Sequence, residues 1–260
     1  MGVASTGGPG AGAALTFDLD AHAARLAEHV TLVKPDGPGP FPVVVQLHGC
    51  GGIQPMQLRY AEAAREAGFA AVVLDSLAPR GIGRREAQLT VCTGARLRGD
   101  ERAVDLLAIL AWLSDQPWAD ADRVIAAGWS HGGWTVMDAL AGASRDRAPA
   151  HLLDAVKAVV VIYPYAGALS RSRRLGWGER RPKVSALLGG RDAVVGWRAP
   201  QRAFDRLEAD GLDVRVLTLL EATHCFDDEN ASDPRTHYRP DLEEQARVFY
   251  VDCLIDGLEG

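Results

Sequence analysis

Ser130, Asp192 and His224 each follow an apolar run, and together they supply a hydroxyl, a carboxylate and an imidazole. A serine hydroxyl is a weak nucleophile at neutral pH. An imidazole, with an unperturbed pKa of about 6.5, can take its proton and return it. A carboxylate on the other ring nitrogen fixes the tautomer and stabilises the imidazolium as it forms. The chemistry these three groups predict is acyl transfer through a covalent serine intermediate.

Ser130 carries the strongest signal, because Gly128-Trp129-Ser130-His131-Gly132 has the G-x-S-x-G pattern of a nucleophile elbow. A serine on so sharp a turn needs neighbours without side chains. In a chain with 28 glycines the pentapeptide could also arise by chance. Its setting favours the elbow: Arg123 to Ala127 reads as a buried strand and Trp134 to Leu140 as an apolar helix. The backbone N–H of His131 would then be one oxyanion donor, with a second from the loop His48-Gly49-Cys50, Cys50 before Gly49. His48 itself reads as a residue that holds this loop.

The acid and base are placed by the strand ends at which sites of such sheets collect. Gly189-Gly190-Arg191-Asp192 follows one strand and Glu221-Ala222-Thr223-His224 the last, and the order Ser, Asp, His suits this architecture. Asp192 also reads as a turn aspartate. Asp154, Asp227 and Asp228 are alternative acids, the last two through their nearness to His224. His22, His29, His151 and His237 read as loop histidines without a role. Trp129, Tyr163, Tyr165 and Trp197 are candidate pocket walls, with core packing an equal reading for the two tryptophans.

The elements that must position these groups alternate along the chain. Strands are expected at residues 29–34, 42–47, 70–75, 123–127, 155–162, 183–188 and 214–220, and helices at about 55–67, 100–113, 134–140, 200–209 and 241–254. Residues 76–99 read as an irregular loop of the kind that lines sites. This alternation predicts an α/β fold, a mostly parallel twisted sheet of about 7–8 strands with helices on both faces.

Composition sets the outer bounds. At 260 residues, with 47% hydrophobic and 24% charged residues and no linker, residues 15–260 read as one domain, and residues 1–14 as a flexible tail without the features of a signal peptide. A net charge of −6 argues against nucleic-acid and anionic-membrane partners. No stretch has the length of a membrane span, so a cytoplasmic protein, monomer or homodimer, is expected. The four cysteines are too dispersed for a zinc ribbon or redox pair, and no metal is expected. Cys50 and Cys92 fall in loops near one sheet edge and can be bridged, although free thiols are the expectation in a reducing compartment.

Taken together, Leu47-His48-Gly49, the elbow, Gly189-Gly190-Arg191-Asp192 and Thr223-His224-Cys225-Phe226-Asp227 resemble the α/β-hydrolase superfamily, and within it the dienelactone hydrolase-like family, over roughly residues 43–254. The resemblance implies hydrolysis of small ester or lactone substrates through an acyl-enzyme, with Ser130, Asp192 and His224 at the triad positions and no cofactor. The chain departs from the family pattern in three places. Dienelactone hydrolases carry a cysteine where Ser130 stands and a glutamate in the loop that here reads Gln46-Leu47-His48-Gly49. They also place an arginine soon after the histidine, where this chain has Phe226, Asp227, Asp228 and Glu229. Arg80 falls near another arginine that the family uses for a substrate carboxylate. Uncharged short- to medium-chain esters are therefore the expected substrates. The alternatives are a peptidase or acyltransferase with the same triad, or a non-catalytic binding domain on a hydrolase fold.

Overall fold

The computed structural model describes residues 17–142 and 147–259. The expected tail, residues 1–14, lies outside them. Seven strands form one sheet: β1 (Val30–Val33), β2 (Phe41–Leu47), β3 (Ala70–Leu74), β4 (Ala119–Trp129), β5 (Val156–Ile162), β6 (Lys183–Gly189) and β7 (Val214–Leu219). Their order is β1-β3-β2-β4-β5-β6-β7, with β1 antiparallel to β3 and every other pair parallel.

Side chains alternate across a strand, and the alternation divides the core in two. Val43, Val45 and Leu47 of β2 face one cluster, with α1 (Leu19–Ala27), α4 (Gly99–Leu113), α5 (His131–Leu140) and α6 (Arg198–Ala209). Val44 of β2, Ile125 and Ala127 of β4 and Val160 of β5 face the other, with α2 (Pro55–Glu66) and α7 (Pro240–Asp256). Burial on both faces explains why the central strands read as continuous apolar runs.

Two regions differ from the sequence expectation. Residues 76–99 contain a 3-10 turn at Ala78–Arg80 and the short helix α3 (Arg84–Thr90). Only Ala87 of α3 is buried, so the helix has no apolar period to read. Helix α1, also unexpected, buries a histidine: His22 Nε2 bonds Asp105 Oδ1 at 2.7 Å, where a loop residue was expected.

The chain enters β3 on one side of β2 and β4 on the other, and the crevice made by such a reversal lies at the carboxyl ends of β2 and β4. Register sets Leu47 beside Gly128, so the loop after β2 meets the turn after β4. The contact is backbone on backbone. A Cβ on Gly132 would lie 1.9 Å from the Leu47 carbonyl oxygen, and one on Gly128 would lie 2.4 Å from the Gly132 carbonyl carbon.

Cys50, just past β2, is joined to Cys92, just past α3, with Cα atoms 5.1 Å apart. This corrects the expectation of free thiols: residues 76–98 fold back over the end of β2 and bring the two cysteines within bridging distance. Cys50 packs against a small apolar cluster of Leu77, Ile82, Ala87, Val91 and Leu97. Cys225 and Cys253 remain free.

Gly132→Ala is expected to cost about 3 kcal/mol or more in urea denaturation, because the obstructing atom is backbone. Gly83→Ala, where nothing lies within 4 Å, should change stability by less than about 1 kcal/mol. Thiol titration in denaturant should count two groups before reduction and four after. With a sequence separation of 42 across the bridge, reduction should lower the unfolding free energy by up to about 4 kcal/mol. Four titratable thiols before reduction would refute the bridge.

Candidate active site

Ser130 sits between the end of β4 and the start of α5 with φ +50° and ψ −109°. That conformation is unfavourable for a residue with a side chain and persists only where neighbours enforce it. Here the Ser130 N–H donates to the Ile162 carbonyl at 2.9 Å, and its carbonyl accepts from Trp134 N–H at 3.0 Å and Tyr165 N–H at 3.3 Å. Tyr163 at φ +38° and Cys225 at φ +49° are strained in the same sense, and all three border one cavity.

The structure brings Ser130, His224 and Asp192 into one hydrogen-bonded chain. His224 Nε2 lies 2.8 Å from Ser130 Oγ, and His224 Nδ1 lies 2.7 Å from Asp192 Oδ2. If the serine hydroxyl donates to Nε2, the neutral ring carries its proton on Nδ1 and donates it to Asp192. The other carboxylate oxygen, Oδ1, accepts from Val194 N–H and Val195 N–H at 2.9 Å each. Burial pushes the Asp192 carboxyl up, but His224 and these two amides outweigh it and hold it below the usual value. For His224, burial disfavours the charged ring. The Cys225 sulfur and the Asp192 carboxylate overcome that, and the ring is held above the ordinary imidazole value.

The alternative acids are engaged elsewhere. Asp227 is buried and accepts from Tyr163 Oη at 2.6 Å and Tyr60 Oη at 3.0 Å. Burial pushes its carboxyl up to about 6 against the effect of the two hydroxyls. Asp228 Oδ1 accepts from Asn230 N–H at 2.9 Å. Asp154 lies in the 3-10 helix before β5, at the opposite end of the sheet, and pairs with Arg180.

The loop after β2 closes on the serine: a Cβ on Gly49 would be 3.6 Å from Ser130 Cβ. Cys50 and His131 border the same cavity, and neither of their backbone N–H groups donates to another described residue. His48 is fully buried with Nδ1 2.6 Å from the Gly49 carbonyl oxygen, and its Nε2 accepts from Ser76 N–H at 3.1 Å.

The cavity has a volume of ≈ 530 Å³. Of the four expected wall residues, Tyr165, Tyr163 and Trp129 border it and Trp197 does not. The Trp197 ring is partly exposed and stacked against Arg198, because residue 197 lies beyond the Asp192 turn at the start of α6. Trp129 borders the cavity, but its ring is only 1% exposed and packs on Tyr60 and Tyr250 as part of the core. The sequence reading missed Trp134, Met56 and Leu169. Trp134, one helical turn after Ser130, was identifiable by that spacing. Arg80 is outside the cavity, held in a two-pronged pair with Asp105 at 2.9 and 2.7 Å. The rim carries Arg84, Arg235, Asp228 and Asp233. Among the described residues no group of three or more His, Cys, Asp or Glu is placed to hold a metal ion, and no helix is long and apolar enough to cross a membrane.

Similar architecture recurs in solved structures. The dienelactone hydrolase-like promiscuous phosphotriesterase P91 from metagenomic libraries superposes with a TM-score of 0.63 at 20% identity, over 88% of this chain and 99% of that one. Dienelactone hydrolase from Anabaena variabilis ATCC 29413 gives a TM-score of 0.59 at 21% identity, over 88% and 92%. Esterase 2 of Thermogutta terrifontis, phosphorylated by paraoxon, gives 0.61 at 17% identity, over 86% and 88%. No curated protein matches the chain. The model of the dienelactone hydrolase family matches residues 29–251. With the mostly parallel seven-stranded sheet, the fold is that of the α/β-hydrolases, and the chain belongs to the dienelactone hydrolase family.

Proposed function

We propose that this chain is a serine hydrolase of uncharged carboxylic esters, with Ser130 as nucleophile, His224 as general base and Asp192 as the acid that orients it. The observation that carries the reading is the unbroken chain from Asp192 through His224 to Ser130 at the border of the cavity. Ser130 Oγ attacks the substrate carbonyl as its proton passes to His224 Nε2, and Asp192 stabilises the imidazolium. The Cys50 and His131 N–H groups receive the oxyanion, which has no protein competitor for them among the described residues. His224 then protonates the leaving alcohol, and water attacks the acyl-enzyme with the same ring as base.

The cavity supports the substrate class. Met56, Trp134, Tyr165 and Leu169 offer an apolar wall, and the rim balances two arginines with two aspartates. Arg80, spent on Asp105, offers nothing to a substrate carboxylate. The paraoxon-phosphorylated esterase supports a corresponding reactivity at Ser130.

Hydrolysis of p-nitrophenyl butyrate tests the roles. Ser130→Ala and His224→Ala should lose more than about 10⁴-fold in kcat, and Asp192→Asn about 10³- to 10⁴-fold. Asp227→Asn should remain within about tenfold of wild type. Near-normal turnover in Asp192→Asn would refute the acid assignment. Paraoxon should label wild type and not Ser130→Ala.

The pH dependence follows from the raised His224. The base must be neutral to accept a proton, so kcat/KM should fall as pH drops through its pKa. The acid limb should therefore lie above about 6.5. A limb at or below about 6.5 in wild type, measured over about pH 5 to 10, would contradict this.

A further inference from the structure

Arg102, in the first turns of α4, is a cation only 1% exposed, and no carboxylate lies within salt-bridge distance of it among the described residues. Its Nε donates to Ser76 Oγ at 2.9 Å and its Nη1 to the His48 carbonyl at 2.8 Å. The same Nη1 lies 3.3 Å from His131 Nδ1, while Nη2 has no described partner. The oxygens of Asp105, one turn further along α4, are already used by His22 and Arg80. Burying a guanidinium without a direct counter-ion is costly, and its contacts indicate what the arrangement holds. One buried cation touches both segments from which the oxyanion would receive hydrogen bonds.

The contacts act through peptide geometry. In a trans peptide the C=O and N–H point in opposite directions, so fixing a carbonyl aims the amide that follows it. Arg102 draws the His48 carbonyl towards itself and turns the Gly49 N–H away. Through Ser76, whose hydroxyl it also holds, it acts on the next peptide. Ser76 N–H donates to His48 Nε2, which leaves the proton on Nδ1 to be donated to the Gly49 carbonyl at 2.6 Å. With that carbonyl held, the Cys50 N–H is turned away from the His48 ring. On the other side, Arg102 donates to Nδ1 of His131, whose backbone N–H is the second donor. Burial and the neighbouring Arg102 keep both rings, His48 and His131, neutral by lowering their pKa values. Burial lowers Arg102 itself to about 10, which leaves it charged at neutral pH.

Resting on the serine-hydrolase reading above, we propose that Arg102 is the positioning residue of the oxyanion hole. It aims the Cys50 N–H through Ser76, the His48 ring and the Gly49 carbonyl, and the His131 N–H through the His131 ring, and it places a buried positive charge behind both. Its effect belongs to the transition state, where negative charge develops, rather than to the bound ester.

The test uses Arg102→Met and Arg102→Lys beside wild type and Ser130→Ala. Turnover of p-nitrophenyl butyrate is normalised to sites counted by the end point of fluorophosphonate labelling, so that unfolded molecules do not count. Arg102→Met should lower kcat on the order of 10- to 100-fold, less than deletion of an oxyanion donor, with KM changed by less than about threefold. Affinity for a trifluoromethyl ketone, which binds as an oxyanion, should fall by the same factor as kcat/KM. A residue that only supported the fold would lower the titrated fraction and leave these per-site quantities unchanged. Should Arg102→Met fail to fold, Arg102→Lys decides the matter. It keeps the charge but not the fork, and its kcat should fall about 3- to 10-fold, with inhibitor affinity following. Ser130-dependent turnover in wild type, with unchanged per-site kcat and inhibitor affinity in the folded variants, would overturn the role of Arg102 alone. Absence of Ser130-dependent turnover in wild type would overturn the serine-hydrolase reading, and this assignment with it.

Discussion

The site depends on a backbone contact that no side chain can enter. Gly132 lies against the carbonyl of Leu47 and Gly128 against Gly132, so the turn after β4 is wedged onto the end of β2. Ser130 is held in its strained conformation from both sides, by Ile162 through its N–H and by Trp134 and Tyr165 through its carbonyl. Strain of this kind costs about 1 to 3 kcal/mol per residue and survives only where several contacts oppose its relief. The same wedge brings Gly49 beside Ser130. One steric constraint thus sets both the direction of the hydroxyl and its distance from the loop after β2.

Behind that loop lies a buried polar layer that an apolar core would not need. His22, Asp105 and Arg80 form one connected group, and Ser76 joins it to Arg102, His48 and His131, since Arg80 Nη1 also donates to the Ser76 carbonyl. Polar groups buried this deeply are tolerated when nearly all are satisfied. This layer fixes tautomers as well as positions: His48 must accept at Nε2 and donate at Nδ1, whereas His131 accepts at Nδ1. Cys92 braces the same loop from the solvent side through Cys50. The loop after β2 is therefore gripped from within by hydrogen bonds and from outside by a covalent bond.

The central strands were legible in the sequence because two-faced burial writes continuous apolar runs, and Ser130, Asp192 and His224 were legible by their places just past β4, β6 and the edge strand β7. The less legible parts lacked a period. α3 buries one alanine, and α1 places a histidine on its inner face. Partners distant in sequence were also hidden. Nothing local to Arg80 announces that Asp105 will claim it, and nothing near Arg102 announces contacts with residues 48 and 131. Trp197 failed as a wall for a related reason, since the Asp192 turn carries it away from the cavity before α6 begins.

Two carboxylates close in sequence or space to His224 illustrate how environment divides the work. Asp192 stands in a turn whose backbone amides converge on Oδ1, and hydrogen bonds to the charged form keep it ionised. Asp227 lies three residues from the histidine but deeper, with two tyrosine hydroxyls and, among the described residues, no cation hydrogen-bonded to its carboxylate, and burial raises it. A carboxylate must reach the ring to stabilise the imidazolium, and Asp192 Oδ2 lies on His224 Nδ1 whereas both Asp227 oxygens accept from tyrosine hydroxyls, so Asp192 suits the role and Asp227 does not. Asp227 instead anchors Tyr163, whose ring meets the His224 ring edge to face at 4.8 Å. The histidine is thereby held on two sides by different physics: an ionised hydrogen-bond acceptor fixes its tautomer, and an aromatic ring pinned by a buried acid fixes its plane.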